Sequence, residues 1–475
     1  MVSKQVLCSI YSLKFLHMKK PLTKKQFQDA LRKGHGRALL HVRKFGAAGL
    51  KSAILHACEH CLVYDTQIEG TRGGWLYEIV VSAGLAEAVK PRVLAALRRA
   101  SPSEHWCDVD QLNILACCLV HKGDPNDAAR KTIYEKFDRG EHWDYSLGGD
   151  QILAMDGLAG LLHIAEMAGG RLGSASEGED TSGIECNICH LFSDACERFG
   201  RKEVLRTLSR ASVDRPAIRL FRDTVLETDR FWKKADERNR RNRLKKPKQE
   251  TVATILNAIE TLADPRIHRL RPWGRRAGKR QLKAVYERML EERRPEQLRR
   301  FLQVFHRQPL PRVDERVVEW ALASDDTLVR RACIRALGYT PSPRVHQLAH
   351  DMLSQTPPRL EAIELLRSNY QPPDAALIES ALPHQEADAE KRRFIVSNLI
   401  DIANEQRPEL ANCLLWAYEH GPCSHCRQDV LEYLLAIGKA PMSMLRECLA
   451  DGNDDVRECA RATMKKQSGS KTAKT

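Results

Sequence analysis

From residue 310 to 465 the apolar positions fall into pairs of helix-spaced clusters separated by polar or proline-containing turns. The second cluster of each pair opens on an arginine followed three residues later by a small or apolar residue. The pairs are Arg330 with Cys333, Arg359 with Ala362, Arg392 with Ile395, Arg427 with Val430 and Arg457 with Ala460. Their arginines are 29, 33, 35 and 30 residues apart, a period that predicts a stack of helix pairs. The shorter partner helices are expected at 313–323, 343–354, 374–382, 408–419 and 441–450.

Local signals fix the helix starts. Pro343, Pro408 and Pro441 stand where a missing N–H costs nothing. Asp325–Asp326 and Asn453–Asp455 supply caps and first-turn negative charge to two of the longer helices. SDDTLVRRACIRALG (324–338) and GNDDVRECARATM (452–464) resemble HEAT repeats. The resemblance implies an α-solenoid of about nine to eleven helix pairs with a concave binding face. It implies no particular activity.

The N-terminal half has a longer repeat, in which an aromatic residue is followed by Asp and Gln ahead of an apolar helix. The instances are YDTQ (64–67), WCDVDQ (106–111) and WDYSLGGDQ (143–151), with glutamines 44 and 40 residues apart. Each Asp is expected to cap the next helix. The competing reading is a polar row, with Glu69, Arg72 and Asp156, along one face. YDTQIEGTRGGWL makes this half similar to the start of uncharacterised bacterial HEAT-repeat proteins.

The expected organisation is a short extension (1–18, with Met18 an alternative start), an N-terminal array (19–168) and a Gly/Ser-rich flexible linker (169–183). A helical block ending in a basic strap (184–250), a HEAT-like array (251–466) and a disordered basic tail (467–475) follow. No stretch reads as the eighteen or so uncharged apolar residues of a membrane span, so the chain is read as cytoplasmic with no membrane partner.

Charge changes the picture more than composition does. The chain carries +14, yet residues 201–310 hold 31 Lys plus Arg against 14 Asp plus Glu, which leaves the remainder at −3. Within that stretch KKADERNRRNRLKKPK (233–248) and RIHRLRPWGRRAGKR (266–280) are the densest runs. Pro272, Gly274 and Gly278 predict a loop in the second. Arginine forks interleaved with an aromatic suit phosphate contacts and base stacking. The expected phosphate contacts are Arg240, Arg241, Arg243, Lys245, Lys246, Arg271, Arg275, Arg276, Lys279 and Arg280, with Trp273 stacking. The partner is a nucleic acid or an acidic protein, and other proteins are expected on the concave face.

Fifteen cysteines in a long helical chain fit reduced core thiols better than a disulfide framework. Cys186, Cys189, His190 and Cys196 have zinc-ligand types, but one C-x2-C pair supplies half a site. Cys423 and Cys426, near His420 and His425, open a helix, as metal or redox cysteines do. Cys426 also fills a core position of the repeat. Cys58 and Cys61, with His56 and His60, form a weaker set. The expectation is therefore no cofactor, with zinc as the alternative. An enzyme reading rests on likeness to HEAT-like DNA glycosylases, which implies Trp106, Asp110 and Trp143 beside an extruded nucleotide. The remainder of the chain departs from that family. An interaction scaffold without catalysis is the main reading; a pure protein–protein adaptor is the other alternative.

Overall fold

The computed structural model describes residues 20–101, 105–121, 124–140, 148–176, 180–244, 250–261, 269–383 and 388–472. Among them all regular structure is helical, with no strand. The chain divides into two compact units. Unit 1 is residues 1–245 together with 442–475, and unit 2 is Lys246–Pro441.

Unit 1 begins with α1 (Lys24–Lys33), α2 (Arg37–Phe45), α3 (Lys51–Glu59), α4 (Thr66–Glu69), α5 (Gly73–Ser82) and α6 (Ala86–Arg99). It continues with α7 (Trp106–Cys118), α8 (Ala128–Arg139), α9 (Gly149–Ser174), α10 (Ser182–Phe199), α11 (Arg201–Ala211) and α12 (Pro216–Leu244). Caps are local: Thr23 and Gln26 form a capping box at α1, and the Asp127 carboxylate accepts from the amides of Ala129 and Arg130 at α8. Buried side chains such as Phe27, Ile54, Trp75, Val93, Leu115 and Ile164 line one continuous core.

Helix α9 changes two expectations. Residues 169–174, expected in the linker, are its last turns, and Gly169 is there for contact. A Cβ on it would stand 1.9 Å from the Ala217 carbonyl oxygen of α12, so the absence of a side chain lets the two helices touch. Among the described helices α9 alone is long and apolar enough to cross a membrane. It bends at Gly157 (φ 58°) and buries Ile152, Leu161, Ile164 and Ala168 in the unit 1 core.

The last two helices, α24 (Met442–Cys448) and α25 (Asp454–Thr472), belong to unit 1 instead of closing the C-terminal array as expected. The Trp75 indole N–H donates to the Ala450 carbonyl at 2.9 Å, and the Gly452 amide donates to Gly34 O at 2.7 Å. Arg37 pairs with Glu447 (2.8 Å) and Arg457 with Glu78 (2.6 Å). Helix α25 runs through Thr472, so residues 467–472 are helical where a disordered tail was expected. The YDTQIEGTRGGWL motif supplies much of this seat. Arg72 and Glu69 form a buried ion pair at 2.8 Å, and Arg72 also donates to Arg32 O at 2.7 Å.

Unit 2 contains α13 (Val252–Thr261), α14 (Leu270–Arg276), α15 (Lys279–Leu290), α16 (Pro295–Val304), α17 (Glu315–Ala323), α18 (Thr327–Gly338) and α19 (Pro343–Leu353). A 3-10 segment (Leu360–Leu366) comes next, then α20 (Asp374–Ala381), α21 (Ala389–Ala403), a 3-10 turn (Pro408–Leu410), α22 (Ala411–His420) and α23 (Ser424–Ala436). The helix pairs fall where the sequence places them. Asp326 caps α18 through the amides of Leu328 and Val329, and Ser342 with Pro343 starts α19. The repeat positions Cys333, Ala362, Ile395 and Val430, and Ala460 in unit 1, are all fully buried. Arg359 departs from the pattern by capping a 3-10 segment in place of an α-helix.

Candidate nucleic-acid interface

The unit boundary at residue 245 cuts the basic stretch in two. Arg240 is exposed on α12 of unit 1. Arg241 and Arg243 lie on the last turn of that helix, with side chains outside the described residues; Lys245, Lys246 and Trp143 lie outside them altogether. Arg271, Trp273, Arg275, Arg276, Lys279 and Arg280 belong to unit 2.

The expected loop at 270–276 is helix α14. Pro272 sits in its first turn, where no intrahelical N–H is needed. Gly274 allows a close approach: a Cβ there would stand 1.9 Å from Val304 O of α16. Trp273 is correspondingly buried, 1% exposed, and its indole N–H donates to Glu250 O at 2.9 Å. It is a core residue of unit 2, so base stacking is withdrawn for it.

The cations around it stay outside. Arg275, Arg276, Lys279 and Arg280 are exposed across the α14–α15 turn. Arg276 donates to Pro272 O. Arg275, Lys279 and Arg280 pair with no carboxylate among the described residues. Arg271 is half-buried and donates to Gln303 at 2.7 Å.

Arg271 marks a row that the sequence reading missed. Arg271, Gln303, Arg335 and Arg367 recur every 32 residues, on α14, α16 and α18 and directly after the 3-10 segment Leu360–Leu366. Arg335 donates to Glu364 at 2.9 Å, and Arg367 to Asn398 and Asp401 while lying over the Tyr339 ring. His306 and Arg307, at the end of α16, complete the basic end. Burial and the neighbouring charges of Arg271, Arg335 and Arg307 push the His306 imidazole down to about 4. Burial, Arg335 and Arg307 also lower the Arg271 guanidinium. Of these, Arg335 is held by Glu364, while Arg271 and Arg307 pair with no carboxylate among the described residues, so their positive charge is left for an anionic partner. Even spacing alone could have revealed this row.

A groove of about 620 Å³ between Leu310 and Arg344 also carries arginines. There Arg312 is held by Glu287 and Asp314, and Arg344 by Glu315 at 2.9 Å. Its cations are already neutralised.

The polar residues of the N-terminal repeat do not act as caps in the expected way. Asp65 occupies a cap position without a side-chain cap bond. Asp110 lies in the second turn of α7 and accepts from the Thr71 hydroxyl at 3.0 Å. Gln111 is buried and donates to the Ala57 and Cys58 carbonyls. Burial pushes the Asp110 carboxyl up against the opposing Thr71 bond. Trp106 packs half-buried against the unit 1 core. Asp156 accepts from Tyr134 and pairs with Arg130. Asp150, on α9, is pushed to about 6 by burial and then by Asp194. Its carboxylate lies 3.9 Å from His190.

Cys186, Cys189, His190 and Cys196 share α10, but no three of their ligand atoms lie within 4.8 Å of one another. Cys423 caps α23 and its side chain bonds that of Cys426; this bond, burial and Asp429 push the Cys426 thiol upward. That direction is opposite to the one a reactive thiolate needs. A set that sequence reading passed over does converge: His346, His350 and Asp374.

Comparison of the chain with family models, with curated proteins and with solved structures finds no match.

Proposed function

We propose that this protein is a HEAT-type helical-repeat scaffold without catalysis, whose basic surface in unit 2 binds the phosphate backbone of a nucleic acid. The carrying observation is the exposed set Arg275, Lys279 and Arg280 at the α14–α15 turn, which pairs with no carboxylate among the described residues; Arg271 and Arg307 add further positive charge in the same unit. The 32-residue recurrence of Arg271, Gln303, Arg335 and Arg367 supports a solenoid stack. Burial of Trp273 removes the aromatic platform that unpaired bases would use. Binding on this reading is therefore sequence-independent and carried by phosphate contacts.

The test is duplex and single-stranded DNA and RNA binding over a salt series, with the triple variant Arg275→Glu, Lys279→Glu, Arg280→Glu. Each phosphate contact contributes roughly −0.9 to the slope of log K against log salt on duplex DNA. Loss of three contacts should flatten that slope by about 2.7 and abolish binding at moderate salt. A wild-type protein that binds no nucleic acid at low salt overturns the reading. Charge-dependent capture of an acidic polypeptide would then favour the adaptor alternative.

A further inference from the structure

We propose that His346, His350 and Asp374 form a binding site for a first-row divalent metal ion, with zinc the best match. The site is independent of the basic surface. His346-x3-His350 places two imidazoles one turn apart on the same face of α19. Their ring centroids are 4.5 Å apart. Asp374 is the first residue of α20, the following short helix of the array. His346 Nε2 lies 3.0 Å from both of its carboxylate oxygens, and His350 Nε2 lies 2.7 Å from Oδ1.

Three features separate this cluster from an incidental polar contact. The Asp374 side chain is 1% exposed, and among the described residues its ion-pair partners are the two imidazoles alone. A carboxylate taken out of water needs a compensating charge. A divalent cation supplies the charge. The carboxylate is also oriented, since the Gln371 amide donates to Oδ2 at 2.7 Å and leaves Oδ1 facing both rings. That is the outer-sphere support metal-bound carboxylates receive.

The spacing is nearly right for zinc. A tetrahedral ion with bonds of about 2.0–2.1 Å sets its ligand atoms roughly 3.3 Å apart. Opening the observed 2.7–3.0 Å separations to that value takes shifts of a few tenths of an ångström, within side-chain torsional freedom. Two imidazoles and one carboxylate leave a fourth position for water or an incoming ligand, the composition of an open zinc site. The His350 side chain is 34% exposed, so the ion would enter past it. Bound there, it would clip α19 to α20 across successive helix pairs.

The test uses the full chain, stripped with a chelator and titrated with Zn²⁺ and separately with Co²⁺. Wild type should bind one equivalent that His350→Gln fails to hold, with affinity lowered on the order of 100-fold or more. Bound Co²⁺ should show the visible absorption of a four-coordinate ion without thiolate charge-transfer bands, which separates this site from any cysteine site. Zn²⁺ should displace it and raise the melting temperature of wild type but not of the variant. His350→Gln changes a partly exposed residue, and unchanged circular dichroism confirms its fold. His346→Gln provides a second arm. Equal zinc stoichiometry and affinity in wild type and both variants would overturn the proposal. So would a cobalt spectrum dominated by thiolate ligation, or no stoichiometric binding at all; either leaves a hydrogen-bonded His–Asp–His cluster only.

Discussion

Replacing Trp75 by Phe should loosen the hold of unit 1 on its last two helices. Trp75 is 2% exposed and its N–H is the donor to Ala450 O at 2.9 Å. Phenylalanine keeps most of the apolar contact and deletes the donor, leaving a carbonyl unsatisfied in the closed state. That costs about 1–3 kcal/mol, so opening of the 442–472 segment should become about 5- to 150-fold more frequent. Cys448 is fully buried beside the contact and reports opening through its rate of thiol modification, read peptide by peptide in a mass spectrometer. Cys333, fully buried in unit 2, serves as the reference for global unfolding. Removing Arg457, whose partner Glu78 is about a third exposed, should accelerate Cys448 by about 5-fold or less, because such pairs contribute roughly 0.2–1 kcal/mol. A folded Trp75→Phe protein whose Cys448 reacts at the wild-type rate would refute the argument.

Three further outcomes follow from local contacts. Asp127→Ala should cost roughly 2–4 kcal/mol in urea unfolding, because it removes a helix cap and strands Lys90, which lies 2.6 Å from the carboxylate. Burial raises the Asp127 pKa, but Lys90 and the amides of His121, Arg130 and Ala129 outweigh it and hold the carboxyl at about 2. Its stabilisation is therefore present above the ordinary value of 3.8 and lost as pH falls toward 2. His306 runs the same way for the opposite charge type: its folded pKa of about 4 lies below the ordinary 6.5, so unfolding binds a proton and stability falls as pH drops between them. His306→Gln should flatten that part of the pH–stability curve, and parallel curves would contradict the assignment. Finally, Gly274→Ala should lower the melting temperature of unit 2, because its Cβ meets backbone and not a flexible side chain; an unchanged melting temperature would show that α14 and α16 separate freely.

Signals contained in a few neighbouring residues were legible from the chain. Asp326 and Pro343 start their helices as expected, since a cap and the amides it holds, or a proline and the first turn, lie within three residues. The buried register of Cys333, Ala362, Ile395, Val430 and Ala460 was equally plain, because one face of a helix repeats within a turn. Trp273 was not legible. An indole flanked by arginines looks exposed, yet Trp273 is 1% exposed and its N–H donates to the Glu250 carbonyl, 23 residues away. The His–Asp–His cluster was half legible: His346 and His350 share a turn, but Asp374 arrives 24 and 28 residues later from another helix. Asp110 and Asp150 are not caps, because each helix begins before them, at Trp106 and at Gly149.

The contact between Trp75 and Ala450 spans 375 residues of sequence, and that separation sets a waiting time at the ribosome. At roughly 5–20 residues per second, about 20–75 s pass between the emergence of one partner and the other. During that interval the first helices of unit 1 are made and Trp75 has no carbonyl to donate to, while all of unit 2 is synthesised before α24 and α25 appear. The nascent chain therefore carries an apolar seat meant for its own end. A chaperone or a second nascent chain has that long to occupy it first.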